Sequence, residues 1–222
     1  MTTFAALQKR IGYTFKDEAL LESALTHASA GGETDYQRLE FLGDRVLGLL
    51  VAEGLYALYP SEPEGDLSKR HTALVRGETM TKAARSIDLG KTIVISDAEE
   101  LAGGRNNANI LSDIMEAVIG AVYLDGGLEA ARKILGPLLE EDLRAMTAPP
   151  RDPKTLLQEY TQAHGLGLPE YTLTSRDGPD HAPDFRVTVK IANGKTASAS
   201  GPSKRAAEKA AAQTLIEALG IA

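Results

Sequence analysis

Tyr36-Gln-Arg-Leu-Glu-Phe-Leu-Gly-Asp-Arg-Val-Leu-Gly-Leu-Leu-Val51 is the stretch that decides how the first two-thirds of this 222-residue chain is read. Leu39, Leu42, Val46, Leu49 and Leu50 recur at helical spacing, so the segment reads as a helix buried over much of its circumference. The pattern extends from Gln37 to Leu58, and Pro60 stops it. Two acids interrupt the apolar surface. Glu40 and Asp44 are four apart, one turn above the other on a single face, where like charges repel. Gly43 and Gly48 each lower helix propensity by up to ~1 kcal/mol relative to Ala, a cost that close approach by another helix would explain.

A second apolar helix, expected over Asn109 to Tyr123, repeats the oddity. Asp113 and Glu116 are three apart beside Ile114, Met115, Val118 and Ile119, with the small Gly120 following. If the two helices pack together, four carboxylates converge, which is strongly unfavourable without cations. Oxygen ligands without His or Cys suit Mg²⁺ or Mn²⁺ rather than zinc. The spacing equally allows each acid pair to lie on a solvent-facing strip. Arg38 and Arg45 stand near Glu40, whereas Asp113 and Glu116 have no basic residue within a turn.

Further helices are expected over Asp17 to Ala28, Asp66 to Ile87 and Leu128 to Leu143, while Ala102 to Asn107 has the composition of an exposed loop. Ala148-Pro-Pro-Arg-Asp-Pro153 then breaks the chain, with three prolines in six residues. Beyond it Asp152-Pro153 starts a helix ending near Gly165. Tyr171 to Ser175 alternates weakly. Phe185, Val187, Val189 and Ile191 alternate cleanly on one strand face, and Asn193-Gly194 reads as a two-residue hairpin turn into Lys195 to Ser200. Ser203 can cap a last alanine-rich helix reaching Leu219. The order helix, three strands, helix closes if the helices cover one face of an antiparallel sheet.

Composition excludes several classes. Hydrophobic content of 43% and charged content of 25% are ordinary for a globular protein. No apolar run approaches the ~18 residues of a membrane span. The charges at Lys9 and Arg10 follow the apolar start, the reverse of a secretory signal, so the default expectation is cytoplasmic. Without cysteine there are no disulfides and no thiolate ligands. The net charge of −7 is unevenly spread: residues 1–150 carry 15 basic and 23 acidic side chains, residues 151–222 carry 9 and 8. The second part is therefore slightly basic, and phosphate binding depends on a few local cations rather than on the total. Lys204, Arg205 and Lys209 provide such a group at the start of the last helix, whose amides also favour anions, although a solvated basic turn is common on any helix.

Arg38-Leu-Glu-Phe-Leu-Gly-Asp44, followed by Val46-Leu47, closely resembles the signature of the ribonuclease III family. Leu25-Thr-His27, Glu64-Gly-Asp-Leu-Ser68, and Asn109-Ile-Leu-Ser-Asp113 with Glu116-Ala-Val-Ile-Gly120 resemble its further motifs in the same order. Pro153 to Leu219, with Gly201-Pro-Ser-Lys-Arg-Ala-Ala-Glu-Lys-Ala-Ala211, resembles a double-stranded RNA-binding domain. The resemblance implies a mainly α endonuclease domain over 1–147, a proline-rich linker over 148–152, and an α-β-β-β-α RNA-binding domain over 153–222. It implies Mg²⁺-dependent hydrolysis of double-stranded RNA to 5′-phosphate and 3′-hydroxyl ends, on ribosomal RNA precursors and structured messenger RNA.

On the same resemblance Glu40, Asp44, Asp113 and Glu116 would bind Mg²⁺, or Mn²⁺ in its place, with Asp44 and Glu116 as the principal catalytic groups. Glu64 would be a further acid of the cleft, and Phe41 would help form the interface of a homodimer whose subunits each cut one strand. Thr155, Gln158, Glu159 and Gln162 would meet a minor groove, His181 the next one, and Lys204 and Arg205 the phosphates between. No membrane and no small organic cofactor are implied. His27, beside Leu25 on its helix, reads as a structural histidine. Gln37 departs from the family, which often has Glu there, so a charge-based role at that position is in doubt. Two other classes compete: an RNA-binding regulator that no longer cuts, which Gln37 alone favours, and a hydrolase of small phosphoesters fused to a tether.

Overall fold

Helix α3 (Gln37–Leu58) runs the full length that its apolar spacing predicts. It packs along α7 (Ala108–Ala145), and the two form the centre of the first compact unit, residues 1–150. The computed structural model describes residues 3–32, 34–179 and 183–221. From α3, Val46, Leu47, Leu50, Val51 and Leu55 enter the core, and from α7, Ile114, Met115, Val118, Ile119 and Val122 do so. Helices α1 (Thr3–Ile11), α2 (Glu18–Leu25), α4 (Glu64–Leu74) and α5 (Gly77–Ser86) surround this pair. They add Leu7, Leu21, Leu25, Leu74 and Met80 to the core. No helix among the described residues is long and apolar enough to cross a membrane.

Helix α7 covers both segments expected at 109–123 and 128–143. They are joined across a kink at Gly127, whose φ of 78° is open to glycine at little cost. The kink is anchored from outside. Asp125 accepts hydrogen bonds from the Tyr13 hydroxyl at 2.6 Å and from the backbone amides of Lys16 and Asp17 at 3.0 Å.

Three expectations about the first unit need correction. The helix over 66–87 is two helices: Arg76 turns extended, and the Thr79 hydroxyl takes up the Ala73 carbonyl that the break leaves at the end of α4. Helix α2 ends at Leu25 rather than Ala28, because Thr26 forms an isolated bridge with Val94 and the chain must extend to make it. Ala102 to Asn107 is not a simple exposed loop. It follows the short α6 (Asp97–Leu101) and is held by Arg105, which donates to the Ile93 carbonyl at 2.6 Å and pairs with Glu100.

The second unit, residues 151–222, has the order α8 (Pro153–Ala163), β1 (Glu170–Asp177), β2 (Asp184–Lys190), β3 (Thr196–Gly201) and α9 (Lys204–Leu219). Asp152 caps α8 by accepting from the Lys154 amide at 2.9 Å, and Ser203 caps α9 by accepting from the Ala206 amide. The antiparallel sheet has the order β1-β2-β3, with a register shift between Leu173 and Ser175. Val189 and Ile191 meet Leu157 of α8 and Ala211, Ala212, Leu215 and Ile216 of α9 in a separate core. The turn between β2 and β3 differs from the two-residue form that Asn193-Gly194 suggested. Ile191 donates to the Lys195 carbonyl, Gly194 donates to the Ile191 carbonyl, and Gly194 sits at φ 85°, which makes a three-residue loop.

Candidate active site

The site is built where α3 and α7 touch without side chains between them. A Cβ placed on Gly43 would fall on the Glu116 carbonyl oxygen, and one on Gly120 would collide with the Leu39 carbonyl. Two bare backbones therefore meet here, with residues 39–43 lying against 116–120. Glu40 lies within the first of these turns and Glu116 within the second, and Asp113 is one turn before Glu116. Gly48 does not serve in the same way, contrary to the sequence expectation. A Cβ there would lie in ordinary contact, 3.7 Å from the His71 ring, and that ring is hydrogen-bonded to the Gly48 carbonyl at 3.0 Å.

The electrostatics report the convergence. Burial, then the charges of Asp113 and Glu40, push the Glu116 carboxyl up to about 7, and Arg45 only partly offsets them. Glu40 is raised by burial and by Asp113. Asp113 is raised by burial, with His27 acting in the opposite direction. The three acids thus share one half-buried region, and the solvent-strip alternative does not describe them. Asp44 behaves differently, because its carboxylate is turned onto the adjacent Arg45 in an ion pair. Among the described residues no three Asp, Glu or His side chains are already drawn close enough to hold an ion. That is the arrangement expected of mutually repelling carboxylates with one member turned aside. Their all-oxygen donor set, partly buried and only partly offset by Arg45, fits a hard divalent cation.

Glu64 stands exposed at the first position of α4, outside the group of acids that influence one another. His27 is not on a helix. It caps the turn 28–30, its Nδ1 lying 2.9 Å from the Ser29 hydroxyl and its ring stacked on Tyr36 at 5.5 Å between centroids. Its structural reading stands on those contacts. Tyr36 was missed by sequence reasoning. It is buried beside the acids, and burial with the charges of Asp113, Glu40 and Asp35 pushes its hydroxyl up to about 12. Its only signal in the sequence is that it directly precedes the helix. Arg45 was considered only as a neighbour of Glu40, yet it pairs with Asp44 and lies over the Phe41 ring at 5.2 Å. Phe41 itself is 67% exposed.

In the second unit Thr155, Gln158, Glu159 and Gln162 lie exposed on one side of α8. Lys204 and Arg205 are exposed at the start of α9. His181 lies outside the described residues.

Comparison with known proteins agrees with this architecture. A ribonuclease-III-like family model matches residues 17–142, and a double-stranded RNA-binding motif matches residues 153–219. Ribonuclease 3 of Rhodobacter capsulatus is 49% identical over 217 residues, covering 97% of this chain and 95% of that protein. Ribonuclease 3 of Caulobacter vibrioides is 48% identical over 219 residues, with 96% and 95% covered. Among solved structures, the nuclease domain of ribonuclease III from Campylobacter jejuni superposes with a TM-score of 0.62 at 44% identity, covering 64% of this chain and 99% of that one.

Fold and relatives together define an endoribonuclease that carries a double-stranded-RNA-binding module. The packed helical unit with its crossing acids is the nuclease domain. More particularly, the chain belongs to the ribonuclease III family.

Proposed function

We propose that Glu40, Asp44, Asp113 and Glu116 bind Mg²⁺, or Mn²⁺ in its place, and that the enzyme uses it to hydrolyse duplex RNA to 5′-phosphate and 3′-hydroxyl ends. The observation that carries this reading is the glycine-to-glycine crossing of α3 and α7, which brings acids of both helices together with Arg45, held by Asp44, as only a partial offset to their charge. When bound, the cation would supply an activated water and offset charge on the leaving oxygen. The chain's own part is to fix the ligands. The helix crossing sets the distance between Glu40 and Asp113–Glu116, and Asp44 would leave Arg45 to join them. Released, Arg45 would be available to an RNA phosphate.

The same reading gives Lys204 and Arg205 the phosphates of the duplex, and gives the exposed side of α8 a minor groove. Structured ribosomal RNA precursors and messenger RNA in the cytoplasm are the proposed substrates. We also propose a homodimer through the face carrying Phe41, each subunit cutting one strand. An exposed phenylalanine on a nuclease helix supports it, as does the Campylobacter jejuni nuclease domain, described as having a region involved in dimer formation.

The test of the centre is Glu116→Gln on a labelled RNA hairpin. Cleavage in Mg²⁺ is expected to fall by more than about a hundredfold while gel-shift binding survives. Unchanged cleavage would show that the reacting centre lies elsewhere.

A further inference from the structure

The two cations at the start of α9 have an acidic neighbour on their own helix that does not pair with them. Glu208 follows Lys204 by four residues and Arg205 by three, the spacings at which helix side chains meet. Among the described residues, neither cation has an ion-pair partner. The Glu208 carboxylate instead receives the Lys154 ammonium of α8 at 2.6 Å. Glu208 is mostly buried, its side chain 15% exposed, so its ion pair with Lys154 is largely shielded from solvent. Lys154 is held from a second side, its ammonium lying 4.6 Å from the centroid of the Tyr171 ring. A parallel but looser tie joins Lys209 to the capping Asp152 at 3.9 Å.

We infer that Lys154 is a positioning residue for RNA binding: by engaging Glu208 it draws that carboxylate away from Lys204 and Arg205 and leaves both free for phosphate. The inference rests on the assignment of Lys204 and Arg205 as phosphate contacts. Without Lys154, Glu208 would pair with an α9 cation, or else its own charge would stand unneutralised near the RNA backbone. Both effects weaken binding, and both vanish if the carboxylate is removed as well. A simple brace between α8 and α9 would behave otherwise, because its loss is not repaired by removing the second partner.

The experiment measures binding of the full chain to a perfect RNA duplex in EDTA, by gel shift at several salt concentrations. Lys154→Met is expected to lower affinity about three- to tenfold and to flatten the dependence of affinity on salt by up to about one ion, although Lys154 does not itself touch phosphate. Lys154→Arg should bind as the parent does. Lys154→Met/Glu208→Gln should recover the parental affinity and salt slope. If the double variant binds as weakly as Lys154→Met, or if Lys154→Met has no effect, the inference is wrong. Lys204→Gln/Arg205→Gln is the separate control. If that pair leaves affinity and salt slope unchanged, the phosphate assignment itself fails, whatever Lys154 does.

Discussion

Gly43 of α3 and Gly120 of α7 face each other at the helix crossing so closely that a Cβ on Gly120 would stand 3.1 Å from the Gly43 amide nitrogen. Backbone meets backbone there, and neither helix has a flexible side chain that could give way. The proposed metal centre is set by this contact, because Glu40 and Glu116 lie within the touching turns and Asp44 and Asp113 lie within one turn of them.

Gly43→Ala is therefore expected to cost about 3 kcal/mol or more, since the methyl would occupy the position of the Glu116 carbonyl. Gly48→Ala in the same helix has room beside the His71 ring and should be neutral or stabilising by up to ~1 kcal/mol. Urea unfolding of both variants checks the contrast. Equal effects would mean that the crossing is looser than described.

The raised Glu116 carboxyl makes a prediction about metal-free protein. An acid whose folded pKa is raised destabilises the fold progressively as pH climbs from its ordinary value of 4.5 to about 7, and fully above that. Glu116→Gln should thus match the parent near pH 4.5 in EDTA and exceed it at pH 8. Solvent screening at this partly exposed site leaves on the order of 1 kcal/mol, or roughly 2–4 °C in Tm. Adding Mg²⁺ should cancel the advantage by stabilising only the parent. A variant that is less stable than the parent at pH 8 in EDTA would contradict the shared charge.

Arg70 is the largest fully buried side chain among the described residues. It pairs with both Glu62 oxygens at 2.7 and 2.8 Å, lies 3.9 Å from the centroid of the Tyr59 ring, and donates to the Met146 carbonyl at 2.7 Å. Arg70→Met should cost about 3 kcal/mol, because the Glu62 carboxylate and the Met146 carbonyl both lose their donor. Arg70→Lys should recover only part of this, since an ammonium cannot reproduce the planar fork. Denaturant midpoints of the two variants against the parent are the measurement, and a full recovery by lysine would reduce the interaction to simple charge.

The proposed dimer gives Phe41 a partner. Phe41→Asp should move sedimentation from dimer to monomer and leave the secondary structure unchanged. Leu101→Asp, at a residue 90% exposed on α6, should leave the association state alone. A parent protein that sediments as a monomer would remove the proposal.

Much of this molecule is determined locally. The apolar period of residues 37–58 defines α3, the alternation of Phe185 to Ile191 defines the central strand, and Asp152 and Ser203 start their helices as caps. All of these depend on neighbours a few residues away, so the sequence alone determines them, and it also places at helical spacing the four acids proposed to hold the cation. The tertiary structure decided what depends on distant partners. Of two similar glycines in α3, only Gly43 meets another backbone, because only that position faces Gly120. Thr26 extends instead of continuing α2, because Val94 lies beside it. Asp44 turns to Arg45, while Glu40, Asp113 and Glu116 share a charge burden that their spacing left equally open to solvent. Periodicity states which face of a helix is buried, but the distance between two helices, and so the charge on the acids between them, is fixed only when both are packed.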